Sequence, residues 1–374
     1  MSRKGSVVHL SSVHHISDTR VFYKECSSLA AAGYDVTLII NTDNGDEVRN
    51  GVRIRSLSKS TGGRFARMMR RPIEVFRMAR QEDAQIYHFH DPELIPVGVA
   101  LKVIGKRVVY DAHEHVAKQI LSKGWLPRLL RRPLSLGYRA LEWLCVNFVF
   151  DAVVVADPTQ IPLYPEQKVV VVENFPLLSE IVSAPTRPYD ERSNRVTYIG
   201  AITELRGARE MVEAIRLVNL SMDATLSLGG RFSPPNFQEN LEGAAGWEFV
   251  DYRGFLDRDA VFDLLSDSRV GIVVLHPIPN YLTSQPVKLL EYMLAGLPVV
   301  VANFPYYRQY VEDTGSGIMV DPLNPVEIAT AITWLLENPI EAERMGERGK
   351  RVVLDRYNWE HEAEKIINLY RSIA

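Results

Sequence analysis

The sequence predicts an α/β protein built from two Rossmann-like, doubly wound domains that face one another across a cleft. Three observations predict this class. Apolar, β-branched runs alternate with amphipathic segments along the chain. The runs are almost entirely apolar, as in parallel strands that helices cover on both faces. A proline-containing polar segment at 181–194 divides the alternation into similar halves. A (β/α)8 barrel is the alternative, and this interruption disfavours it.

The elements follow in chain order. Ser17 or Asp18 caps the first helix, and Gly33 ends it. We expect one domain at 1–180, a linker at 181–194 and a second domain at 195–355. The predicted strands are 6–10, 35–40, 86–90, 107–111, 152–155 and 169–172, then 196–199, 225–228, 247–252, 270–275 and 298–301.

Composition narrows the classes of protein. The 374 residues are 46% hydrophobic and 24% charged, which is ordinary for a globular protein of two domains. A net charge of −3 gives no general attraction to nucleic acid or anionic lipid. Two cysteines are too few for a disulfide framework. The most apolar stretch, 141–156, is broken by charged residues, and the N-terminal apolar run is short for a signal peptide. We therefore expect a cytoplasmic protein.

A glycine turn in the second half is the first candidate site. Segment 198–207 runs from a predicted strand through Gly200 to a helix that begins near Gly207. Gly200 permits close approach of the backbone to a ligand, and the Arg206 guanidinium suits a pyrophosphate through paired hydrogen bonds. An ordinary turn with a solvated arginine is the alternative.

A well-bounded helix supplies the second candidate. Thr283 or Ser284 caps it, and Gly296 ends it. Lys288 and Glu291 are neighbours at i,i+3. The helix N-terminus suits phosphate and Glu291 suits sugar hydroxyls, whereas the alternative is a solvated salt bridge.

Two further glycine turns, 229–231 and 253–255, end predicted strands, and Phe255 belongs to the second. Such turns leave backbone groups free to meet a nucleobase. Plain loops are the favoured alternative for these turns taken alone.

Four histidines form two H-x-H pairs, His88/His90 and His113/His115, at the carboxyl ends of predicted strands. Ligands bind at that end of open α/β sheets. A metal hydrolase would gather the four imidazoles around zinc, whereas a transferase would use one imidazole to hydrogen-bond the donor sugar. The metal hydrolase is disfavoured, because it would leave the candidate binding residues of the second half of the chain without a function. Asp257 of an Asp-Arg-Asp run is expected to cap a helix, and we expect no metal.

Basic and apolar residues are mixed in two stretches, 118–139 and 64–71. The first holds six basic residues and no acidic one, interleaved with leucines and Trp125. This mixture suits the headgroup region of an anionic membrane. A solvated basic face is the alternative, and nucleic acid is disfavoured because no recognition motif accompanies the charge.

Taken together, these segments resemble the retaining glycosyltransferases of family 4, the glycosyl transferases group 1 with the GT-B fold, over nearly the whole chain. The resemblance includes D-T-R at 18–20, H-D-P-E-L at 90–94, Y-D-A-H-E at 110–114, E-N-F-P at 173–176 and Y-N-W at 357–359. In that family the closing helix, here 356–374, crosses back to the N-terminal domain.

The resemblance implies roles residue by residue. His113 matches the family's cleft histidine, and Arg206 stands where a lysine usually holds the donor phosphate. Glu291 matches the second glutamate of the family's E-x7-E motif, which binds the donor ribose. Thr283 replaces the first glutamate and Ala201 a second phosphate-binding arginine. The P-x-K-x-x-E-Y-M pattern at 286–293, common among relatives that lack the first glutamate, is present.

The sequence thus predicts transfer of a sugar, with retention of configuration, from a UDP or GDP sugar to a glycan or lipid-linked saccharide, as in polysaccharide or glycolipid biosynthesis. The N-terminal domain binds the acceptor, the C-terminal domain binds the donor, and no cofactor is needed. A nucleotide-sugar 2-epimerase of the same fold is the alternative, and a non-enzymatic sugar receptor is a third class. The expected residues are His113 and Arg206 for catalysis; Gly200, Arg206, Thr283, Ser284, Lys288, Glu291 and Phe255 for the donor; and Asp18, Arg20, His90 and Glu114 for the acceptor or cleft.

Overall fold

The computed structural model describes residues 5–58, 64–113, 115–122, 126–179, 187–285 and 287–374, with the backbone alone at 64–69 and 122. The chain divides into two compact units. The N-terminal unit comprises residues 1–174 together with 359–374, and the C-terminal unit comprises residues 175–358. Each unit has its own sheet and its own buried apolar core.

The N-terminal unit contains an eight-stranded sheet in the order β3-β4-β2-β1-β5-β6-β7-β8, parallel except between β3 and β4. Its strands are β1 Ser6–His15, β2 Asp35–Asn41, β3 Glu47–Arg49, β4 Val52–Ser56, β5 Ile86–Phe89, β6 Arg107–Asp111, β7 Ala152–Val155 and β8 Val169–Val171. Its first helices are α1 Ser27–Ala31, α2 Arg64–Glu82, α3 Ile95–Val103, α4 Val116–Ser122 and α5 Arg128–Phe148.

The C-terminal unit contains a six-stranded, fully parallel sheet in the order β11-β10-β9-β12-β13-β14. Its strands are β9 Arg195–Ile199, β10 Thr225–Gly229, β11 Val250–Gly254, β12 Val270–Val273, β13 Val299–Ala302 and β14 Gly317–Val320. Its helices are α6 Ala208–Val218, α7 Phe237–Glu242, α8 Arg258–Asp267, α9 Pro279–Leu282, α10 Val287–Leu294, α11 Arg308–Val311, α12 Pro325–Glu337 and α13 Pro339–Asp355.

The last helix, α14 (Trp359–Ile373), belongs to the N-terminal unit. The Trp359 indole donates to the Ser28 hydroxyl at 2.9 Å. The Glu362 carboxylate accepts from the backbone N–H of Glu173 at 2.9 Å. These contacts join the two ends of the unit's chain.

The strand order reverses at one place in each sheet. In the N-terminal unit, β1 lies between β2 and β5, and in the C-terminal unit, β9 lies between β10 and β12. Helices that follow strands on the two sides of such a point leave a crevice at the carboxyl ends of the strands, where ligands bind. The predicted pair of parallel-sheet α/β domains is confirmed, and the barrel alternative is excluded.

Some predicted boundaries are wrong. The hairpin of β3 and β4 was not predicted, although Asn50 and Gly51 both take positive φ, the geometry that an Asn-Gly turn favours. Strand β14 was also not predicted. The strand predicted at 247–252 starts three residues later, after a 3₁₀ turn at Trp247–Phe249.

Residues 181–186 of the predicted linker 181–194 lie outside the described residues. Residues 187–194 belong to the C-terminal unit. There Tyr189 is buried and donates its hydroxyl hydrogen to the Arg269 carbonyl at 3.0 Å. Among the residues that the structure describes, no helix combines the length and the apolar character needed to cross a membrane.

Candidate active site

Glycines open the carboxyl edge of the C-terminal sheet beside the reversal in strand order. Gly200 follows β9 with φ +138°, and Gly230 follows β10 with φ +149°. A β-carbon at Gly230 would overlap the carbonyl oxygen of Gly200, so the two loops approach closely only because both residues lack side chains. The edge therefore exposes backbone rather than side chains.

Two cationic side chains lie over this edge. A β-carbon at Gly200 would stand 2.7 Å from Lys288 Nζ and 3.4 Å from Arg206 Nη1, so both heads lie against the Gly200 backbone. Lys288 Nζ donates to the Tyr198 hydroxyl at 3.0 Å and lies 4.3 Å from the Tyr198 ring centroid. Burial, reinforced by the charge of Arg206, lowers the pKa of Lys288 to about 7. An anion bound here would stabilise the charged form of Lys288.

The turn that carries Arg206 is fixed by local sequence. The Thr203 hydroxyl accepts from the backbone N–H of Arg206 at 3.2 Å. Gly207, with φ +77°, starts α6, and a β-carbon there would overlap the Val274 carbonyl oxygen. The backbone N–H of His276 donates to the Leu205 carbonyl at 3.0 Å. The guanidinium is thus held by a turn that is anchored to the segment after β12.

Glu291 has a partner that sequence reasoning missed. Arg258 Nη1 donates to Glu291 Oε1 at 3.0 Å. Asp257 accepts from the backbone N–H of Ala260 at 2.9 Å and caps α8, which confirms the predicted cap and places Arg258 in the first turn. The Asp-Arg-Asp run predicts a cap through its first aspartate, but its spacing gives no sign that the arginine contacts a residue 33 positions away.

Three predicted donor residues lie around this centre. Thr283 and Ser284 form the turn after α9, and the Ser284 hydroxyl donates to the Tyr281 carbonyl at 3.3 Å. Phe255 is 69% exposed after β11, with Arg231 Cζ 4.8 Å from its ring centroid. An exposed aromatic face next to a cation suits stacking with a base.

The N-terminal unit has a cavity of about 840 Å³ beside its own reversal in strand order. One wall is polar, with His14, His90, Asp91 and His113. The other wall is apolar and comes from α4 and α5. Its side chains include Val116, Ile120, Leu134 and Leu141. Such a cavity is suited to a ligand with one polar and one apolar part.

His113 lies in the polar wall. Its Nδ1 stands 3.5 Å from Asp111 Oδ1, and its ring lies 5.3 Å from the ring of His14. Burial opposes ionisation of Asp111, but the Arg20 guanidinium together with the imidazoles of His113 and His90 outweighs burial and holds the pKa of this carboxyl well below its usual range. A fixed carboxylate orients the imidazole so that its other nitrogen is available to a ligand.

The other predicted acceptor residues lie at different depths. Asp18 caps the first helical segment by accepting from the backbone N–H groups of Arg20 and Val21. Its pKa is lowered because these bonds and a hydrogen bond from His14 outweigh burial. Arg20 is buried between Asp111 and the Val172 carbonyl, so it supports the cavity from behind rather than lining it. Glu114 lies outside the described residues.

The two predicted H-x-H pairs do not gather. His115 Nε2 lies 3.6 Å from Asp157 Oδ2, and among the described residues His115 belongs to neither group of side chains that could share a metal ion. His88 and His90 stack at 4.8 Å between ring centroids, together with His9, which sequence reasoning missed. The four-imidazole arrangement expected of a metal hydrolase is therefore wrong.

Sequence models of two families match the chain, one in each unit. Residues 19–174 match the family described as "Glycosyl transferase 4-like domain", and residues 193–338 match "Glycosyl transferases group 1". Together the two matches cover most of the chain, so each unit contains a glycosyltransferase domain. The predicted enzyme class, a transferase of glycosyl groups, is confirmed.

Individual proteins are more distant. The chain is 24% identical to a phosphatidyl-myo-inositol mannosyltransferase of Mycobacterium leprae over 335 residues, covering 86% of this chain and 83% of the relative. Two further curated relatives are matched over only 44% and 46% of their own length.

Solved structures show the fold alone. Sucrose-phosphate synthase from Thermosynechococcus elongatus superposes with a TM-score of 0.76 and 19% identity over 99% of both chains. Anabaena Alr3699/HepE, solved with UDP and glucose, superposes with a TM-score of 0.71 and 13% identity over 98% of this chain and 100% of its own. These similarities confirm the predicted GT-B architecture.

Proposed function

We propose that the protein transfers a sugar from a UDP or GDP sugar to a glycan or lipid-linked saccharide, with retention of the anomeric configuration. The observation that carries the proposal is the convergence of Arg206 and Lys288 over the Gly200 backbone. Two neighbouring cations repel one another, and a pyrophosphate bound between them would attract both side chains and offset that repulsion.

In this proposal the donor is held by its phosphates. Arg206 and Lys288 bind the pyrophosphate and stabilise the charge that grows on the leaving phosphate as the glycosidic bond breaks. No metal ion is required for that task, because two side-chain cations supply the charge. Glu291, held by Arg258, binds the ribose hydroxyls, and Phe255 stacks on the base. The UDP complex of Anabaena Alr3699/HepE supports a nucleotide in this fold.

The acceptor is proposed to bind in the cavity of the N-terminal unit. His113 hydrogen-bonds the carbohydrate substrate, and the apolar wall accommodates a lipid part. The matched Mycobacterium leprae enzyme, whose name specifies phosphatidyl-myo-inositol, supports a lipid-bearing acceptor.

The same unit is proposed to rest on the cytoplasmic face of an anionic membrane. Helix α5 exposes eight large apolar side chains within about half of its circumference. They are Leu129, Leu130, Leu134, Leu136, Leu141, Trp143, Leu144 and Phe148. Exposed Arg128, Arg132 and Arg139 flank this surface. Glu142, the acidic residue of α5, is buried and bonded by the Tyr110 and Tyr138 hydroxyls, so it adds no surface charge. This arrangement suits a headgroup boundary.

The donor proposal is tested by thermal melting with UDP and GDP sugars. A donor at about 100 times its Kd stabilises the protein by about 2.7 kcal/mol, which raises the melting temperature by several degrees. The same sugar should release nucleotide when an acceptor is present. Lys288→Ala should lose the shift, and Lys350→Ala, a substitution on partly exposed α13, should keep it. An equal shift in both variants, or no shift with any nucleotide sugar, would contradict the donor site.

The membrane proposal is tested by sedimentation with phosphatidylglycerol vesicles. Each basic residue near an anionic surface contributes about 1 kcal/mol. Reversing Arg128, Arg132 and Arg139 to Glu should release the protein, whereas reversing exposed Arg308, Arg344 and Arg351 of the C-terminal unit should not. Arg131 is left intact because its guanidinium donates to the Leu126 carbonyl at 2.9 Å. Wild-type protein that ignores these vesicles at low salt contradicts the proposal.

A further inference from the structure

The core of the N-terminal unit holds three histidines and a glutamate, and of these four residues only His90 also lines the cavity described above. His9, on β1, pairs in register with His88, on β5, and His90 follows two residues later. Glu25 comes from the π-helical turn Thr19–Cys26. All four side chains are fully enclosed. One ligand atom from each lies within 4.8 Å of the others.

The carboxylate of Glu25 is placed unusually within this group. Its Oε2 stands 3.9 Å from His9 Nδ1, 3.8 Å from His88 Nδ1 and 3.9 Å from His90 Nε2. These distances are too long for hydrogen bonds. Among the described residues, neither oxygen of Glu25 has a hydrogen-bond partner. Oε1 forms an ion pair with Arg20 Nε at 3.1 Å, whereas Oε2 faces the three imidazoles, and an enclosed oxygen placed in this way calls for an explanation such as an ion.

We propose that His9, Glu25, His88 and His90 form a closed, structural zinc site. Ligand atoms of a tetrahedral zinc with bonds of 2.0–2.1 Å lie about 3.3 Å apart. Here His9 Nδ1 and His90 Nε2 are 2.9 Å apart, and Glu25 Oε2 is 3.8–3.9 Å from one nitrogen of each ring. An ion would draw the carboxylate inward by about 0.5 Å and would take the place of the Tyr370 hydroxyl, which lies 2.8 Å from His88 Nδ1. Three imidazoles and a carboxylate are a donor set that zinc accepts.

Surrounding groups are arranged as an outer shell for such an ion. His90 Nδ1 contacts Asp111 Oδ2 at 3.0 Å, and His9 Nε2 contacts the Tyr370 hydroxyl at 3.0 Å. When these outer nitrogens donate, the inner nitrogens of both rings present lone pairs to the centre. The single charge of Arg20 faces two carboxylates, Glu25 at 3.1 Å and Asp111 at 3.2 Å, which leaves the surroundings suited to a cation.

This site differs from the sequence-based expectation that the protein holds no metal, and it is separate from the donor centre. A metal ion bound there would connect β1, β5 and the helical turn, with Tyr370 of α14 contacting the ligand His9 from outside. The competing arrangement is a metal-free chain of hydrogen bonds from His88 through Tyr370, His9 and His90 to Asp111. That chain leaves Glu25 without a hydrogen bond.

The test is the metal content of the full-length protein, measured by mass spectrometry after expression with zinc and dialysis against a weak chelator. We expect about one zinc per chain in wild type and in His361→Ala, a variant of an exposed histidine on α14. Glu25→Gln, which preserves size, and His88→Gln should lose the metal. Wild type without stoichiometric zinc, or both variants with full zinc, would overturn the site.

A second measurement decides the case in which the variants do not fold. Wild-type protein expressed with cobalt in place of zinc should show the intense visible absorption of a four-coordinate cobalt ion. Weak absorption typical of an octahedral, hydrated ion would overturn the proposal. Neither readout depends on activity, and the donor melting assay is independent of both, so failure of this site is distinguishable from failure of the proposed function.

Discussion

The two sheets treat the same location in opposite ways. At the reversal in strand order, the C-terminal sheet ends in Gly200 and Gly230, and two cations stand over bare backbone. The N-terminal sheet fills the corresponding location with stacked imidazoles and puts its cavity above them. Glycine has no side chain and leaves the backbone accessible to a ligand, whereas the imidazoles occupy that space and hydrogen-bond to one another and to Asp111. One edge leaves backbone and two cationic side chains accessible, and the other forms a packed wall.

Charge is suppressed at both edges by burial. Burial and the neighbouring imidazoles lower the pKa of His9 well below its usual value. Burial and Arg206 lower the pKa of Lys288 to about 7. The difference is in what restores the charge. In the proposed donor site an anionic substrate would supply the missing partner of Lys288, so the charge of Lys288 would depend on the ligand.

The largest expected effect is at Arg206. Arg206→Ala should lower kcat by about 10²–10³, because the guanidinium stabilises charge that develops only as the bond breaks. Arg206→Lys should recover part of the rate, since it keeps the charge and loses the paired hydrogen bonds. Steady-state kinetics measures both. Arg209→Ala, three residues along and exposed, is the control, and an equal loss in that variant would contradict the assignment.

Gly200→Ala tests whether the open edge is required. The new β-carbon would stand 2.7 Å from Lys288 Nζ and would displace it, so donor affinity should fall by about 10–100-fold. Gly105→Ala is the matched control, because it also has positive φ but no atom within 4 Å. Both should lose about 1–2 kcal/mol of stability from backbone strain. Equal donor affinity in the two variants, measured by calorimetry, would show that the edge does not bind donor.

His113→Ala tests the carboxyl edge of the N-terminal sheet. Loss of one hydrogen bond to the carbohydrate, about 1.4 kcal/mol, should lower kcat/KM about tenfold. The melting shift produced by nucleotide alone should not change, because the proposed nucleotide site lies in the C-terminal unit. His115→Ala is the control, since His115 points to Asp157 outside the cavity wall. A lost nucleotide shift in His113→Ala would contradict the division of tasks between the two units.

Lys288 makes donor binding depend on pH. A bound pyrophosphate raises the pKa of Lys288 above about 7, so binding takes up a proton when the pH exceeds that value. Donor Kd should be flat below pH 7 and should rise with pH above it, by at most about tenfold per unit. Lys288→Arg should remove this dependence, because arginine stays charged. The intact nucleotide sugar is the right probe, since its phosphates do not titrate near pH 7. A flat wild-type profile would contradict the role.

The smallest effect is expected at Glu291. Glu291→Gln keeps the size of the side chain and weakens its hydrogen bonds to the ribose, which is remote from the breaking bond. Donor KM should rise several-fold with little change in kcat. Kinetics at saturating and limiting donor separates the two constants. A fall in kcat as large as the rise in KM would place Glu291 at the reacting centre instead.

Local sequence alone determined much of this protein. Apolar runs and their spacing predicted the two parallel sheets, because a strand buried on both faces must be apolar throughout. Gly207 and Asp257 marked the starts of α6 and α8, since positive φ and an N-terminal cap are requirements of single residues. The motifs that carry the family resemblance also predicted that Gly200, Arg206 and Lys288 lie together at one edge of the C-terminal sheet, as they do.

Only the tertiary structure shows which side chains distant in the sequence contact one another. Arg258 meets Glu291 across 33 residues, and Tyr370 meets His9 across 361, because strand register and helix packing bring distant positions together. The H-x-H spacing placed His88 and His90 correctly on one face, but only the alignment of β1 with β5 added His9 beside them. Spacing fixes which residues share a face of one element. The register between elements, set by burial of whole faces, decides which of those faces meet.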